Sequence, residues 1–167
     1  MAMTHAENGK PLRPHTAAPS EPTDHASRIL DGLRTFGADY TDITNKFAAY
    51  LGLHSTDAAA LVEILYAEDH GRPLSPTQLS TRLSLTTGAT TNLLNRLERL
   101  GHIVRTREHA DRRKVTVRTS QQIEEPAREF FGEFSAQLAE LVSRYTPEQL
   151  AQFEEFLGGL HKILRGL

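Results

Sequence analysis

Thr87, Gly88, Thr91, Asn92 and Asn95 recur at the spacing of one helix face in the stretch LTTGATTNLLNRLERLG, Leu85–Gly101. Threonine and asparagine are weak helix formers. A face that only meets water is better built from Lys, Glu and Gln. Short donors and acceptors suit a surface that approaches base edges closely. Asparagine can pair in bidentate fashion with adenine, and a threonine methyl can touch a thymine methyl. Gly88 removes a side chain near the helix start, where backbone N–H groups can meet a phosphate. Arg105, Arg107, Arg112, Arg113 and Lys114 follow at once. Arginine suits a narrow minor groove, where the potential is most negative. Asp111 stands close enough to Arg113 in the chain to hold its guanidinium in one orientation. Alone in solvent such a pair contributes only about 0–1 kcal/mol, so its expected effect is orientation rather than stability.

These residues need elements to position them. With Leu93 at the centre of the buried face and about 100° per residue, Ala89, Leu97 and Leu100 fall nearby. Thr90, Leu94 and Arg96 flank them, and the opposite face adds Glu98 and Arg99 to the polar set. Thr86 is the expected cap of this helix and Gly101 its stop. Before it, SPTQ at Ser75–Gln78 carries a cap, a proline at the first helical position and a capping-box glutamine. That predicts a short helix with Leu79 and Leu83, and a turn at SLT. Two short helices joined by a turn form a helix-turn-helix. Beyond Gly101 the period changes. HIVRTR and KVTVRT are β-rich, with EHADR as a polar turn between them. The layout is a winged helix.

Longer helices flank this core. Ile29, Leu33, Phe36, Tyr40, Ile43, Phe47 and Tyr50 form one stripe over about 25–53, and a second helix follows from Ser55 or Thr56 to before Gly71. After the hairpin, Ile123, Ala127, Phe130, Phe134, Leu138, Leu141 and Tyr145 form another stripe. A last one, from TPEQ onward, carries Leu150, Phe153, Leu157, Leu160, Leu164 and Leu167. These stripes exceed what one small winged helix buries, so a homodimer is expected. Residues 1–24, rich in Pro, Ala, Thr and charge, read as a disordered arm.

Formal net charge is −2, yet the charge is uneven. From Arg72 to Thr119 the acids are only Glu98, Glu108 and Asp111 among many arginines, while the flanking segments are acidic. The chain has no cysteine, which excludes a disulfide framework, a thiolate metal site and a thiol nucleophile. It has neither HExxH nor a Gly-rich phosphate loop. His102, His109 and Asp111 fall at opposite ends of a hairpin strand, and the other histidines are scattered. No enzyme, metal or cofactor is expected. No apolar run is long enough to span a bilayer, and the N-terminus lacks a signal-peptide core. The expected place is the cytoplasm.

The stretch PLSPTQLSTRLSLTTGATTNLLNRLERLGHIVRTREHADRRKVTVRTS resembles the winged-helix core of the MarR family of transcription regulators. LTTGATT, NRLERLG and DRRKVTV carry the resemblance, over about Ser55 to Thr119. It implies a mainly α fold with a small β-hairpin wing. The winged helix-turn-helix core, about 55–119, is flanked by dimerisation helices at about 25–53 and 121–167, in one domain of residues 25–167. It implies a recognition helix, Thr87–Leu100, in the major groove and a wing in the adjacent minor groove. The family's D-x-R wing element matches Asp111 and Arg113, with Arg113 entering the groove. The expected DNA contacts are Ser75, Thr77, Thr87, Gly88, Thr91, Asn92, Asn95, Arg96, Arg112, Arg113 and Lys114. The partner is double-stranded DNA with an inverted repeat, and the function a repressor released by a small aromatic effector. Tyr40, Phe47, His54 and Tyr66 are its candidate pocket. The alternative is a winged helix used only for protein contacts, against which the intact basic wing speaks. The chain departs from the family pattern in its long N-terminal arm. Asn95 stands where many relatives carry Asp, so no base preference carries over. Cysteine-based peroxide sensing is excluded.

Overall fold

The computed structural model describes residues 21–108 and 111–166, with the backbone alone at 21–23, 108 and 111–114. The elements run α1 (Glu21–Leu51), α2 (Ser55–Asp69), α3 (Pro76–Leu83), α4 (Thr87–Arg99), β1 (Ile103–Glu108), β2 (Asp111–Thr119), α5 (Gln121–Val142) and α6 (Pro147–Arg165). The chain divides into two compact units, one ending at Ile43 and the other beginning at Thr44.

α1 starts earlier than expected, because residues 21–24 are helical. Pro22 falls in the first turn, where its missing N–H has no intrahelical partner to lose. The rest of the expected arm lies outside the described residues. In the first unit Ile29, Leu30, Phe36 and Tyr40 are exposed.

The second unit holds the core. Leu61 and Ile64 of α2, Leu79 of α3, Leu94 and Leu97 of α4, Ile103, Val117 and Ile123 are all buried. Ser75 caps α3 with a full capping box, and Thr86 caps α4 by accepting from the Ala89 N–H at 3.2 Å. Between them Ser84 takes a left-handed conformation, φ 53°, which makes the turn tight. Gly101 ends α4 at φ 76°. That left-handed conformation is what favours glycine; a Cβ would meet only the movable end of the Gln122 side chain.

The buried stripe of α4 is Thr90, Leu93, Leu94 and Leu97. Its centre lies about 50° from Leu93 at 100° per residue, toward Thr90. Ala89 and Leu100, expected inside, are exposed. Thr90 is buried because its hydroxyl donates to the Thr86 carbonyl at 3.0 Å, leaving the methyl to pack.

β1 and β2 pair antiparallel from Ile103 with Thr119 to Arg107 with Val115. Glu108 then pairs with Asp111, so residues 112–114 form extra length on β2 opposite a single step of β1. The expected turn EHADR is thus shorter than predicted. Asp111 to Lys114 are strand backbone, and His109 and Ala110 lie outside the described residues. Leu74 adds a bridge to Val117, whose N–H donates to the Leu74 carbonyl at 2.8 Å. At the other end of the hairpin, Glu68 of α2 accepts from the Thr119 N–H at 2.8 Å and from its hydroxyl. The hairpin is thereby fastened to α2 and to the segment before α3.

Phe47 from the end of α1 sits between Phe130 and Phe131 of α5, with ring centroids 5.1 and 4.8 Å away. Tyr50 stacks on Phe130 and donates to Glu129 at 2.8 Å. The apolar side chains on the rest of α5 and on α6 are uncovered. Phe134, Leu138, Leu141, Phe153, Phe156 and Leu157 are exposed, and no residue of α6 is buried.

Candidate nucleic-acid interface

Turning the buried stripe of α4 toward Thr90 also turns its outward face. Gly88, Asn92, Asn95 and Arg99 now lie opposite the core, with Thr91 beside them and Thr87 on the flank nearer the core, and all are exposed. Gly88 meets nothing within 4 Å where a Cβ would stand. Packing within the chain therefore does not demand glycine there. The Thr91 hydroxyl donates to the Thr87 carbonyl at 2.9 Å. Its lone pairs and methyl remain for an outside partner. Asn92 has no hydrogen bond among the described residues, so its whole amide edge is available.

Ion pairing sorts the basic residues of this region. Arg82 pairs with Glu63 at 2.9 Å, and Arg118 lies 3.7 Å from Glu68. Arg96 is the main correction to the expected contact set. Its Nε donates to Asp57 Oδ2 at 2.7 Å and its Nη2 to Oδ1 at 2.5 Å. Asp57 is 1% exposed. A bidentate pair of this kind fixes both partners, so Arg96 fastens α4 to α2. Its hydrogen bond to Asp57 raises the Arg96 pKa further. Arg72, Arg99 and Arg107 carry no ion pair among the described residues. Arg99 is exposed on the same helix face as Gly88, Asn92 and Asn95.

Ser75 and Thr77 begin α3. The Ser75 hydroxyl accepts from the Gln78 N–H at 3.3 Å, and its own N–H donates to Gln78 Oε1 at 2.9 Å. Thr77 is exposed, and its carbonyl accepts from the Thr81 hydroxyl at 3.1 Å. The backbone of Asp111, Arg112, Arg113 and Lys114 lies on the extra length of β2. Their side chains, and with them the expected Asp111–Arg113 pair, lie outside the described residues.

Arg105 was left out of the contact set, yet it links wing to helix. It stands opposite Val117 on the core-facing side of the hairpin, and Val117 is fully buried. Its stem runs along that apolar surface with Nε buried, and its head emerges beside α4. There Nη2 donates to Asn95 Oδ1 at 2.7 Å, and Nη1 lies 3.7 Å from Glu98.

Each candidate effector residue has its own setting within its unit. Phe47 is fully buried in the aromatic cluster and has no free face. His54 is exposed at the N-cap of α2, and its carbonyl accepts from the Asp57 and Ala58 N–H groups. Tyr66 is exposed near the other end of α2, stacked on His70 at 4.2 Å. Tyr40, in the first unit, stacks on Phe36 at 6.1 Å. Periodicity located these aromatics on helices but could not say which ones α5 would cover. Among the described residues no His, Asp or Glu cluster could hold a metal, and no helix is long and apolar enough to cross a membrane.

His102 sits where α4 meets β1. Its N–H donates to the Leu97 carbonyl at 2.9 Å, and its carbonyl accepts from the Ser120 N–H at 3.0 Å. Its ring Nδ1 is buried without a partner. Burial lowers its pKa below 6.5, while the nearby Asp57 charge works in the opposite direction. A lowered folded pKa means that the unfolded chain takes up a proton first as pH falls. The stability contribution of His102 is then complete above about pH 6.5 and is lost as pH falls through the folded value. Thermal melts from pH 7 to pH 5 should show wild-type Tm falling more steeply than that of His102→Gln. Parallel curves would remove His102 as the cause. Glu148, whose pKa is lowered by the backbone and side-chain hydrogen bonds at the start of α6, acts in a separate and more acidic window.

A family model described as "MarR family" matches residues 51–114. The chain is 30% identical over 117 residues to the uncharacterized HTH-type transcriptional regulator YcgE of Bacillus subtilis, covering 70% of this chain and 73% of that one. It is 26% identical over 122 residues to the HTH-type transcriptional repressor YetL of the same organism, covering 73% and 72%. Among solved structures it resembles a MarR family protein from Bacillus stearothermophilus, with TM-score 0.56, 22% identity, and 89% and 99% of the two chains covered.

Proposed function

The chain belongs to the MarR family of winged-helix transcription regulators, and from that premise we propose that it is a homodimeric, sequence-specific DNA-binding repressor, released by a small aromatic effector. DNA binding is supported most by one observation: the outward face of α4 presents Gly88, Thr91, Asn92, Asn95 and Arg99, exposed beside a basic wing. Among the described residues, Asn95 alone of these side chains is hydrogen-bonded to another side chain. Packing and helix propensity explain none of those choices, whereas base and phosphate recognition explains all of them. Arg99 and Arg107 join the contact set, and Arg96 leaves it. Arg112, Arg113 and Lys114 belong to the same basic surface, and the extra length of β2 gives the wing the reach to enter a minor groove. A two-fold dimer sets two recognition helices on successive turns of one DNA face, so the operator is an inverted repeat. The repressor sign has the support of the relative named as one. The effector rests on the family resemblance, and of its expected lining Phe47 is withdrawn into the core.

The test is a mobility shift with an operator selected from random DNA. Arg113→Ala should weaken binding roughly 10-fold or more while leaving dimer mass unchanged, in line with loss of a contact of about 1–3 kcal/mol. Log affinity should also fall linearly with log salt, with a slope that drops by about 1 in this variant. An unchanged shift and slope would remove the wing from the interface.

A further inference from the structure

Two asparagines on the outward face of α4 are chemically different, although the sequence makes them look alike. Asn92 has its carbonyl and NH2 both unengaged among the described residues. Asn95 is held by Arg105 at 2.7 Å. A guanidinium has five donors and no acceptor, so the atom facing it must be the amide oxygen. The Asn95 NH2 then lies on the other side of the planar amide and is turned away from Arg105. Arg105 is itself constrained. Its stem is pinned over Val117, its Nε is buried, and its second nitrogen is drawn to Glu98 at 3.7 Å. The amide is therefore not free to turn over.

We infer that Arg105 sets the base preference of Asn95: with the amide oxygen held, only the NH2 group faces the groove, and Asn95 selects a keto base, guanine or thymine, and rejects cytosine. The major-groove edge of guanine offers the N7 and O6 acceptors, and thymine offers O4. Cytosine presents its N4 amine, a donor facing a donor. Adenine can still accept from the NH2 group at N7, but its N6 amine competes with Arg105 for the amide oxygen, so the bidentate pairing is weakened. Asn92 keeps both halves of its amide and remains the adenine reader. Arg105 is a positioning residue here, and Asn95 the one that meets the base. The inference rests on the DNA-binding reading above and deepens it.

Selection of bound sequences from random DNA, with the full-length wild type, Asn95→Asp and Arg105→Met, tests this. Wild type should show one symmetric pair of positions at which guanine or thymine is favoured over cytosine by roughly 10-fold. Asn95→Asp replaces the donor with a second carboxylate oxygen. Its preference at those positions should move to cytosine or adenine, with the other positions unchanged. Arg105→Met frees the amide to turn and pair in bidentate fashion, so adenine should gain at the same positions relative to wild type. If Asn95→Asp keeps the wild-type profile everywhere, or Arg105→Met gives adenine no gain at those positions, the assignment fails while DNA binding stands. If the wild type selects no sequence at all, the DNA-binding reading fails and this inference falls with it.

Discussion

Removal of Pro147–Leu167 is expected to turn the protein from a dimer into a monomer in sedimentation, with operator affinity falling by roughly 10²–10⁴-fold as two linked half-site contacts become one. Exposure drives this expectation. Phe153 is 58% and Leu164 63% exposed in the single chain, and no side chain of α6 is buried. Phe156, Leu160 and Ile163 line a shallow open groove with Gln152, Glu155 and Gly159, along one side of the helix. Apolar area covered by a second chain contributes about 25 cal/mol per Å², and soluble monomers rarely leave so continuous an apolar surface bare. α5 continues it with Phe134, Leu138 and Leu141, and α1 exposes Ile29, Leu30 and Phe36. Leu157→Glu with Leu164→Glu makes the same test without shortening the chain. Charges on that seam should give a monomer with an unchanged winged-helix core by far-UV and near-UV circular dichroism. A stable dimer in both variants would move the interface to another face.

Arg96→Ala should lower stability by about 3 kcal/mol, near the lower end of the range for breaking a buried ion pair. The reason is asymmetry. The Asp57 side chain is 1% exposed, while the Arg96 side chain is 36% exposed. Deleting the arginine leaves a buried carboxylate with no counter-charge. Deleting the carboxylate in Asp57→Ala lets the guanidinium turn into water, so the loss should be clearly smaller. The double variant Asp57→Ala/Arg96→Ala should resemble Asp57→Ala alone rather than the sum. Urea unfolding at one fixed protein concentration measures all three, since the proposed dimer would make stability concentration-dependent. Equal losses for the two single variants would mean that Asp57 is not stranded without its partner. Because the pair ties α4 to α2, Arg96→Ala should also weaken operator binding more than Arg82→Ala, which loses only the exposed pair with Glu63.

The sequence announced its local features well and its long-range ones poorly. Ser75, Thr86 and Gly101 are read correctly from a few neighbouring residues because caps and helix stops are decided within one turn. Thr90 was misjudged because a threonine counts as polar in a periodicity, whereas its hydroxyl bonds within the helix and hides. That one misjudgement rotated the expected buried face of α4. Asp57 gave no sign of its burial, since a carboxylate near a helix start ordinarily meets water and the dipole. Without Asp57, Arg96 looked like one more basic residue free for phosphate. The hairpin was legible from its β-rich composition, but the extra length at 112–114 depends on pairing across the ladder, which no local pattern encodes. Phe47 and Tyr66 sit at comparable places on apolar stripes. Only the arrival of Phe130 and Phe131, far along the chain, makes one core and leaves the other at the surface.

The extra length on β2 separates two properties that are coupled in a regular hairpin. Inside a continuous ladder, inserting or deleting one residue turns every later side chain to the opposite face. Here the pairs from Ile103 with Thr119 to Arg107 with Val115 close without residues 112–114. Val117 and Thr119 keep their inward orientation whatever that segment contains. Its length and composition can drift among descendants, changing how far the tip projects and how much charge it carries, with no penalty to the core beneath. What the wing displays and whether the core folds are thus separable traits.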